Sequence, residues 1–288
     1  MRISSRLLIG GLILVFTGIG ITSTILWQQA SSKSGEALTE AARERLTLTR
    51  QTLGRELTST RRRIEDQVRT MSASFATKQA LRAFSAGFAD YRQTDAGNAR
   101  PLSDYFNNQF MDRYKKSNPD TRFSPSSIFN GMSDTARAMQ MDYIANNPAP
   151  LGKKDQMASA DSGTAYDDVH EQWHSTFRKF QKQFGYYDVF LVDADTDAIV
   201  YSVFKEVDFG TSLSSGPFSD SGIAKAYRRA MNSNKADATP LTDFADYPPS
   251  YEAPASFIGS PIRIDGETAG VLIFQMPLET ITGIMTFG

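Results

Sequence analysis

YYDVFLVDADTDAIVYSVF, residues 186–204, decides how the chain is read. Two runs rich in aromatic and β-branched residues, 186–194 and 198–204, flank Asp195-Thr196-Asp197. That is the pattern of two strands joined by a tight polar turn. A second pair lies downstream, where ASFIGSPIRI (255–264) and TAGVLIFQM (268–276) flank Asp265-Gly266-Glu267. Asp-Gly between apolar runs is a strong hairpin signal. Between the pairs come a polar loop, KEVDFGTSLSSGPFSD (205–220), and a helix, SGIAKAYRRAMNS (221–233). A strand, TPLTDFA (239–245), and a Pro/Tyr loop, DYPPSYEAP (246–254), follow. The sum is an α+β chain with a five-stranded antiparallel sheet and helices packed on one face.

Working upstream, Tyr166 to Phe184 is a helix stopped by Gly185, with an apolar stripe at Tyr166, Val169, Trp173, Phe177, Phe180 and Phe184. It contains His170-Glu171-x-x-His174. Two imidazoles one turn apart with an adjacent carboxylate form the zinc-hydrolase pattern. A catalytic zinc also needs a third ligand and an open position. No third histidine exists, and Glu206, Glu252 and Glu267 fall in loops or turns rather than on a facing helix. The expectation is a structural helix, with both histidines on the edge of the stripe, rings packed and one nitrogen in water. A membrane-tethered zinc hydrolase using His170, Glu171 and His174 is the alternative. No phosphate loop, nucleophile elbow or nucleophile–base pair occurs, so neither enzyme activity nor a cofactor is expected, and no metal.

The remaining composition excludes other classes. The formal charge is −1 over 288 residues, which gives no basic excess for nucleic acid. There is no cysteine, hence no disulfide or thiolate chemistry. At the N-terminus, Arg2 and Arg6 precede an uncharged stretch, Leu7–Trp27, long enough to span a bilayer. Trp27 stands where an interfacial anchor belongs. The expected layout is a cytoplasmic tail (1–6), a transmembrane helix (7–27), a long helix and helical region (28–165) and a sensor module (166–288) outside the cell. A cleaved signal peptide is the alternative for the leader.

Residues 28–92 read as one continuous helix, with apolar positions such as Leu46, Leu53, Leu57, Ile64, Val68 and Met71 at helical spacing. Such a stripe calls for a partner, and a homodimer through this helix is expected. The arginine triplet 61–63 reads as a solvated face. After a break at 93–101, helices follow over 102–116, with Tyr105, Gln109, Phe110 and Arg113 in register, and from an N-cap at Ser133 to Pro148. NPDTRFSP (118–125) reads as a loop and 277–288 as a closing helix.

YIANNPAPLGKKD (143–155), the stretch 184–213, GPFSDSGIAKAYRRA (216–230) and 248–281 resemble, in order, the extracytoplasmic sensor of bacterial transmembrane receptors. The similarity covers about residues 138–285 and is greatest to methyl-accepting chemotaxis receptors; similar sensors precede histidine kinase and adenylate cyclase modules. The resemblance implies a PAS-like module of the Cache type on a long helix, in an inner-membrane protein whose sensor is periplasmic. It also implies a further module, a second span and an output, which lie beyond Gly288 if present, so the expectation is a receiver that binds without transmitting.

PAS-like sheets hold ligands between one face and the covering loops. Candidate contacts for a small molecule are Tyr187, Tyr201, Lys205, Asp243, Tyr247 and Tyr251, with Asp188 beside them. Lys205 would meet a carboxylate and Asp243 an amine. The alternative is that the tyrosines pack the loop and Lys205 is solvated.

Overall fold

The computed structural model describes residues 3–91, 100–121, 123–276, 278 and 282–283, with side chains from residue 16 onward, Ser32 apart. The chain divides into two compact units, Met1–Ser59 and Thr60–Gly288. A helix, α1 (Ile3–Ala73), supplies the described residues of the first and opens the second.

In the first unit Phe16, Ile19, Ile21, Ile25, Leu26 and Trp27 are exposed. The Thr22 and Thr24 hydroxyls donate to the carbonyls of Gly18 (2.9 Å) and Gly20 (2.8 Å). This back-bonding satisfies each hydroxyl inside its own helix. Among the described residues no helix is long and apolar enough to cross a membrane. The side chains of the first part of the expected span, 7–15, lie outside the described residues.

The second unit begins with the last turns of α1. The expected continuous helix breaks there: Ser74 is extended (φ −66°, ψ 145°), and its side chain accepts from the Thr77 amide as N-cap of α2 (Phe75–Ala89). Serine competes well for backbone donors, which is why it ends one helix and starts another. Next come α3 (Arg100–Asp104), a π-helical turn (Tyr105–Phe110) and α4 (Met111–Ser117). Then α5 (Pro125–Gly131) follows the expected loop, in a stretch to which the sequence assigns no element, with proline at its first turn. In α6 (Asp134–Gln140) Ser133 caps the Ala136 amide as the sequence suggests, and a second π turn follows (Met141–Ala145). A long helix, α7 (Ala165–Phe184), stops at Gly185 in the left-handed conformation (φ 72°).

The sheet is antiparallel and four-stranded, in the order β2-β1-β6-β5, from β1 (Asp188–Asp193), β2 (Ile199–Ser202), β5 (Phe257–Ile264) and β6 (Glu267–Gln275). Asp265 (φ 53°) and Gly266 (φ 92°) turn the β5–β6 hairpin, both left-handed as a tight primed turn requires. Helix α8 (Gly222–Met231) lies between β2 and β5 in sequence. The fifth strand is absent. Over 239–245 only Leu241 bridges Ile258. Pro240 offers no amide to a ladder, and the chain leaves the edge after Thr242. Instead β3 (Ala245–Tyr247) pairs with β4 (Ala253–Ala255) in a separate two-stranded ribbon.

Helices cover both faces, not one. Phe274 of β6 meets Phe180 of α7 at 5.3 Å between ring centres, and Tyr201 of β2 meets Phe84 of α2 at 4.6 Å. On the opposite face, a Cβ on Gly259 would contact the Ala226 carbonyl of α8 at 3.5 Å. Every residue of β1 is accordingly buried. A strand sandwiched in this way is apolar without alternation. The expected closing helix lies outside the described residues except for Leu278, Thr282 and Gly283.

Candidate functional site

The site is assembled around the end of β2. Asp188 opens β1 almost fully buried, and its Oδ1 accepts from the amides of Val189 (2.6 Å), Val203 (3.0 Å) and Phe204 (3.1 Å). Its Oδ2 accepts from the Ser202 hydroxyl at 2.7 Å, and Ser202 Oγ accepts from the Lys205 amide at 2.8 Å. These bonds hold the turn 202–205 and place Lys205 in the left-handed region (φ 58°). A lysine rarely adopts that conformation, and such positions concentrate at functional sites. Burial pushes the Asp188 carboxyl up to about 7 despite its donors, with the Asp208 carboxyl adding to the effect.

Beside this turn lies a cavity of about 480 Å³, within the range of small-molecule sites. Its floor is Tyr187, Phe204, Lys205 and Glu206. Tyr187 and Phe204 stack with ring centres 5.0 Å apart. Glu206 accepts from the Tyr187 hydroxyl (2.8 Å) and the Ser250 hydroxyl (3.0 Å). Its carboxyl is held well above the usual range, first by burial and then by the nearby Asp208. Lys205 donates from Nζ to the Val203 carbonyl at 3.2 Å. Burial lowers its amine to about 7, against the opposing pull of Asp188 and Asp155.

The roof comes from the helical segment before α7. Tyr105 and Phe110 both line the cavity although five residues apart. In an α-helix that spacing would turn them to different sides, but the π turn Tyr105–Phe110 restores a common face. It also turns Gln109, which the sequence places in register, out to solvent. Arg113 follows at the mouth, its guanidinium 5.8 Å from the Tyr251 ring centre. Lys154 closes one wall. Its Nζ donates to the Ile144 carbonyl at 2.7 Å and lies 5.3 Å from the Tyr105 ring centre.

Of the six residues read from the sequence, the fold brings Tyr187, Lys205 and Tyr251 to the cavity. Tyr201 does not line it, being fully buried against Phe84 and Phe177. Tyr247 is buried against Phe257, its hydroxyl donating to Asp208. Asp243 is exposed beyond the sheet edge. Lys205 is not solvated, being 1% exposed. Sequence reasoning missed Tyr105, Phe110, Arg113, Lys154, Glu206 and Ser250. The excess of aromatic residues along 102–116 and the second lysine of Gly152-Lys153-Lys154 are the signals that pointed there.

The two histidines belong elsewhere. Their rings stack 4.4 Å apart at the centre of the buried face of α7, not at its edge. Both nitrogens of His174 are used, Nδ1 with the Tyr201 hydroxyl (2.8 Å) and Nε2 with the Asp155 carbonyl (2.7 Å). His170 Nδ1 bonds the Ala158 carbonyl. Burial lowers both imidazoles, that of His174 to about 3, with Lys205 adding to the effect. Glu171 points to solvent, and among the described residues no three metal-binding side chains cluster.

No family model matches the chain, and no curated protein matches it. Among solved structures, the sensor domain of the V. cholerae histidine kinase DctB is similar at 13% identity and a TM-score of 0.31. The match covers 62% of this chain and 57% of that one, so the chain spans little more than half of that domain. A likeness of that depth carries no weight for fold or function.

Proposed function

We propose that the chain is the extracytoplasmic ligand-sensing part of a bacterial transmembrane receptor, of the methyl-accepting chemotaxis kind. Histidine kinase and adenylate cyclase receptors are the alternatives for its output. The observation that carries the proposal is the cavity: a half-open, aromatic-walled volume with a few polar groups, set on a strained turn at the end of β2. Among the described residues beside it no hydroxyl nucleophile is paired with a base, which supports binding rather than turnover as its chemistry. The 7–27 segment would anchor the sensor in the membrane, and the self-bonded Thr22 and Thr24 hydroxyls suit an apolar surrounding. A homodimer would form through exposed α1 positions such as Leu46; Val68, fully buried in this unit, is not among them.

The test is a thermal-shift screen of the full chain in lipid discs against organic acids, amines and aromatic compounds. Stabilisation by one class is expected. A folded protein that no compound stabilises would overturn the sensing role. Recovery of the chain in the soluble fraction after cell lysis would overturn the anchor, and absence of Leu46→Cys crosslinks in membranes would overturn the dimer.

A further inference from the structure

Two lysines at the cavity are buried without an anionic partner. Lys154 is 3% and Lys205 1% exposed, and both line the cavity. An ammonium carries three N–H donors. The hydrogen bonds of these two groups go to one backbone carbonyl each, Ile144 for Lys154 and Val203 for Lys205. Among the described residues neither enters an ion pair.

Nearby carboxyls do not fill the gap. Asp188 is committed to three amides and the Ser202 hydroxyl. Asp155 pairs with Arg178 (2.8 Å) and Lys182 (3.1 Å). Glu206 accepts from two hydroxyls, and burial holds its carboxyl well above the usual carboxylate range, which weakens it as a counter-ion. A buried cation without a counter-ion is costly, and here burial lowers the Lys154 amine to about 8 and that of Lys205 to about 7. Arg113 adds a third cation at the mouth. The faces of Tyr105 and Tyr251, which would attract a cationic ligand, already carry Lys154 and Arg113.

We propose that the cavity binds an organic anion, a carboxylate on a compact apolar or planar body, with the carboxylate received by Lys154 and Lys205 and the body lying among Tyr105, Phe204 and Tyr251. This rests on the sensing role proposed above and names its ligand class. The anion supplies the missing counter-charge, the spare N–H donors take its oxygens, and the aromatic walls cover the rest. Amines are rejected by the same three cations.

The experiment uses the full chain in lipid discs with three matched pairs: benzoate and benzamide, phenylacetate and phenylacetamide, succinate and succinamide, with benzylamine as the cation. At a hundredfold excess over Kd a carboxylate is expected to raise the melting temperature by roughly 5–10 °C, its amide and benzylamine leaving it unchanged. Lys154→Met and Lys205→Met are each expected to weaken carboxylate binding about 10–100-fold, while the free variants melt at or above the parent, since a buried charge has been removed. Arg113→Gln, at an exposed position that leaves the fold intact, is expected to weaken binding severalfold. Equal or better stabilisation by an amide or amine, or carboxylate binding unchanged in all three variants, would overturn the anion assignment and leave the sensing role standing. No stabilisation by any of the seven compounds would overturn the anion assignment, and the sensing role falls with it only if the wider screen is silent too.

Discussion

The Asp188 carboxylate accepts the Ser202 hydroxyl at 2.7 Å across the open end of the β1–β2 pair. Through that bond, the first residue of β1 fixes the turn that carries Lys205. Asp188→Ala would leave the amides of Val189, Val203 and Phe204 without their acceptor in a buried site. A loss of about 2–4 kcal/mol in urea unfolding is expected, because each orphaned donor retains its desolvation cost. Asp188→Asn keeps one carbonyl for the amides and offers an NH₂ to the hydroxyl of Ser202, so it should cost about 1 kcal/mol or less. Equal losses for the two would mean that the carboxylate's charge, rather than its acceptor geometry, holds the turn.

Gly270 of β6 makes a second rigid demand. A Cβ there would lie 2.3 Å from the Val192 carbonyl oxygen and 2.8 Å from Leu81 Cδ2. The first neighbour is backbone inside the β1–β6 ladder and cannot swing aside. Gly270→Ala should therefore cost about 3 kcal/mol, since overpacking here forces strands apart rather than moving one side chain. Denaturant unfolding measures it, and a loss under about 0.5 kcal/mol would show that α2 is not seated against this strand.

The hairpin at 255–276 was legible because Asp265-Gly266 fixes both the turn and the register. The turn at 195–197 was legible for a similar reason. The covering of both faces was written in the unbroken apolar run Val189–Val192, but a composition rule that assigns helices to one face hid it. The failed fifth strand shows the limit of local pattern: Leu241 and Thr242 do lie along β5, and only Pro240 and the departing chain keep the contact to one bridge. In the site, Lys205 was found because it follows a strand. Lys154, Arg113 and Tyr105 were not, since their approach depends on a π turn and on a loop whose path no periodicity encodes. At about 100° per residue His170 and His174 fall along one edge of the apolar stripe. In the fold both nitrogens of His174 and Nδ1 of His170 have partners within the core, and the two rings occupy its middle.

That placement has an acid-side consequence. The His174 imidazole is lowered by burial to about 3, against an ordinary value near 6.5. Between those values the unfolded chain binds the proton and the native protein does not, so this residue's contribution to stability is present above pH 6.5 and is lost as pH falls. The loss is about 1.4 kcal/mol per pH unit. Replacement by a non-titrating amide removes it. The stability difference between the parent and His174→Gln should therefore shrink by about 2 kcal/mol from pH 6.5 to pH 5, as read by urea unfolding at each pH. A difference that stays constant would mean that the ring is protonated in the native state. Chelator treatment should leave the melting temperature unchanged, because both nitrogens of His174 are already bonded to protein.

Lys205 titrates on the other side of neutrality. Its amine is lowered to about 7 by burial, with Asp188 and Asp155 opposing and Arg178 assisting; in the unfolded chain it returns to its ordinary value near 10.5. Between these limits the unfolded chain again holds the extra proton, so the free protein gains stability as pH rises from about 7, at up to about 1.4 kcal/mol per unit. Lys154, lowered to about 8, adds to the gain. The carboxyls of Asp188 and Asp208, raised to about 7 and about 6, and that of Glu206, raised well above its ordinary value, work in the opposite direction as they titrate, so the gain is read as the difference between the parent and Lys205→Met. Tyrosines raised by burial, such as Tyr187, reverse the trend above about pH 10, where the unfolded chain ionises first. The window is therefore about pH 7.5–9.5. Lys205→Met should flatten the rise there, because methionine fills the space and binds no proton. A bound carboxylate should flatten it too, since an anion beside the amine restores its affinity for the proton, so that binding at pH 8.5 takes up a proton and weakens as pH increases further. Parallel profiles for the parent and Lys205→Met across that window would mean that the amine keeps its ordinary proton affinity in the native protein and is not held dry at the cavity wall.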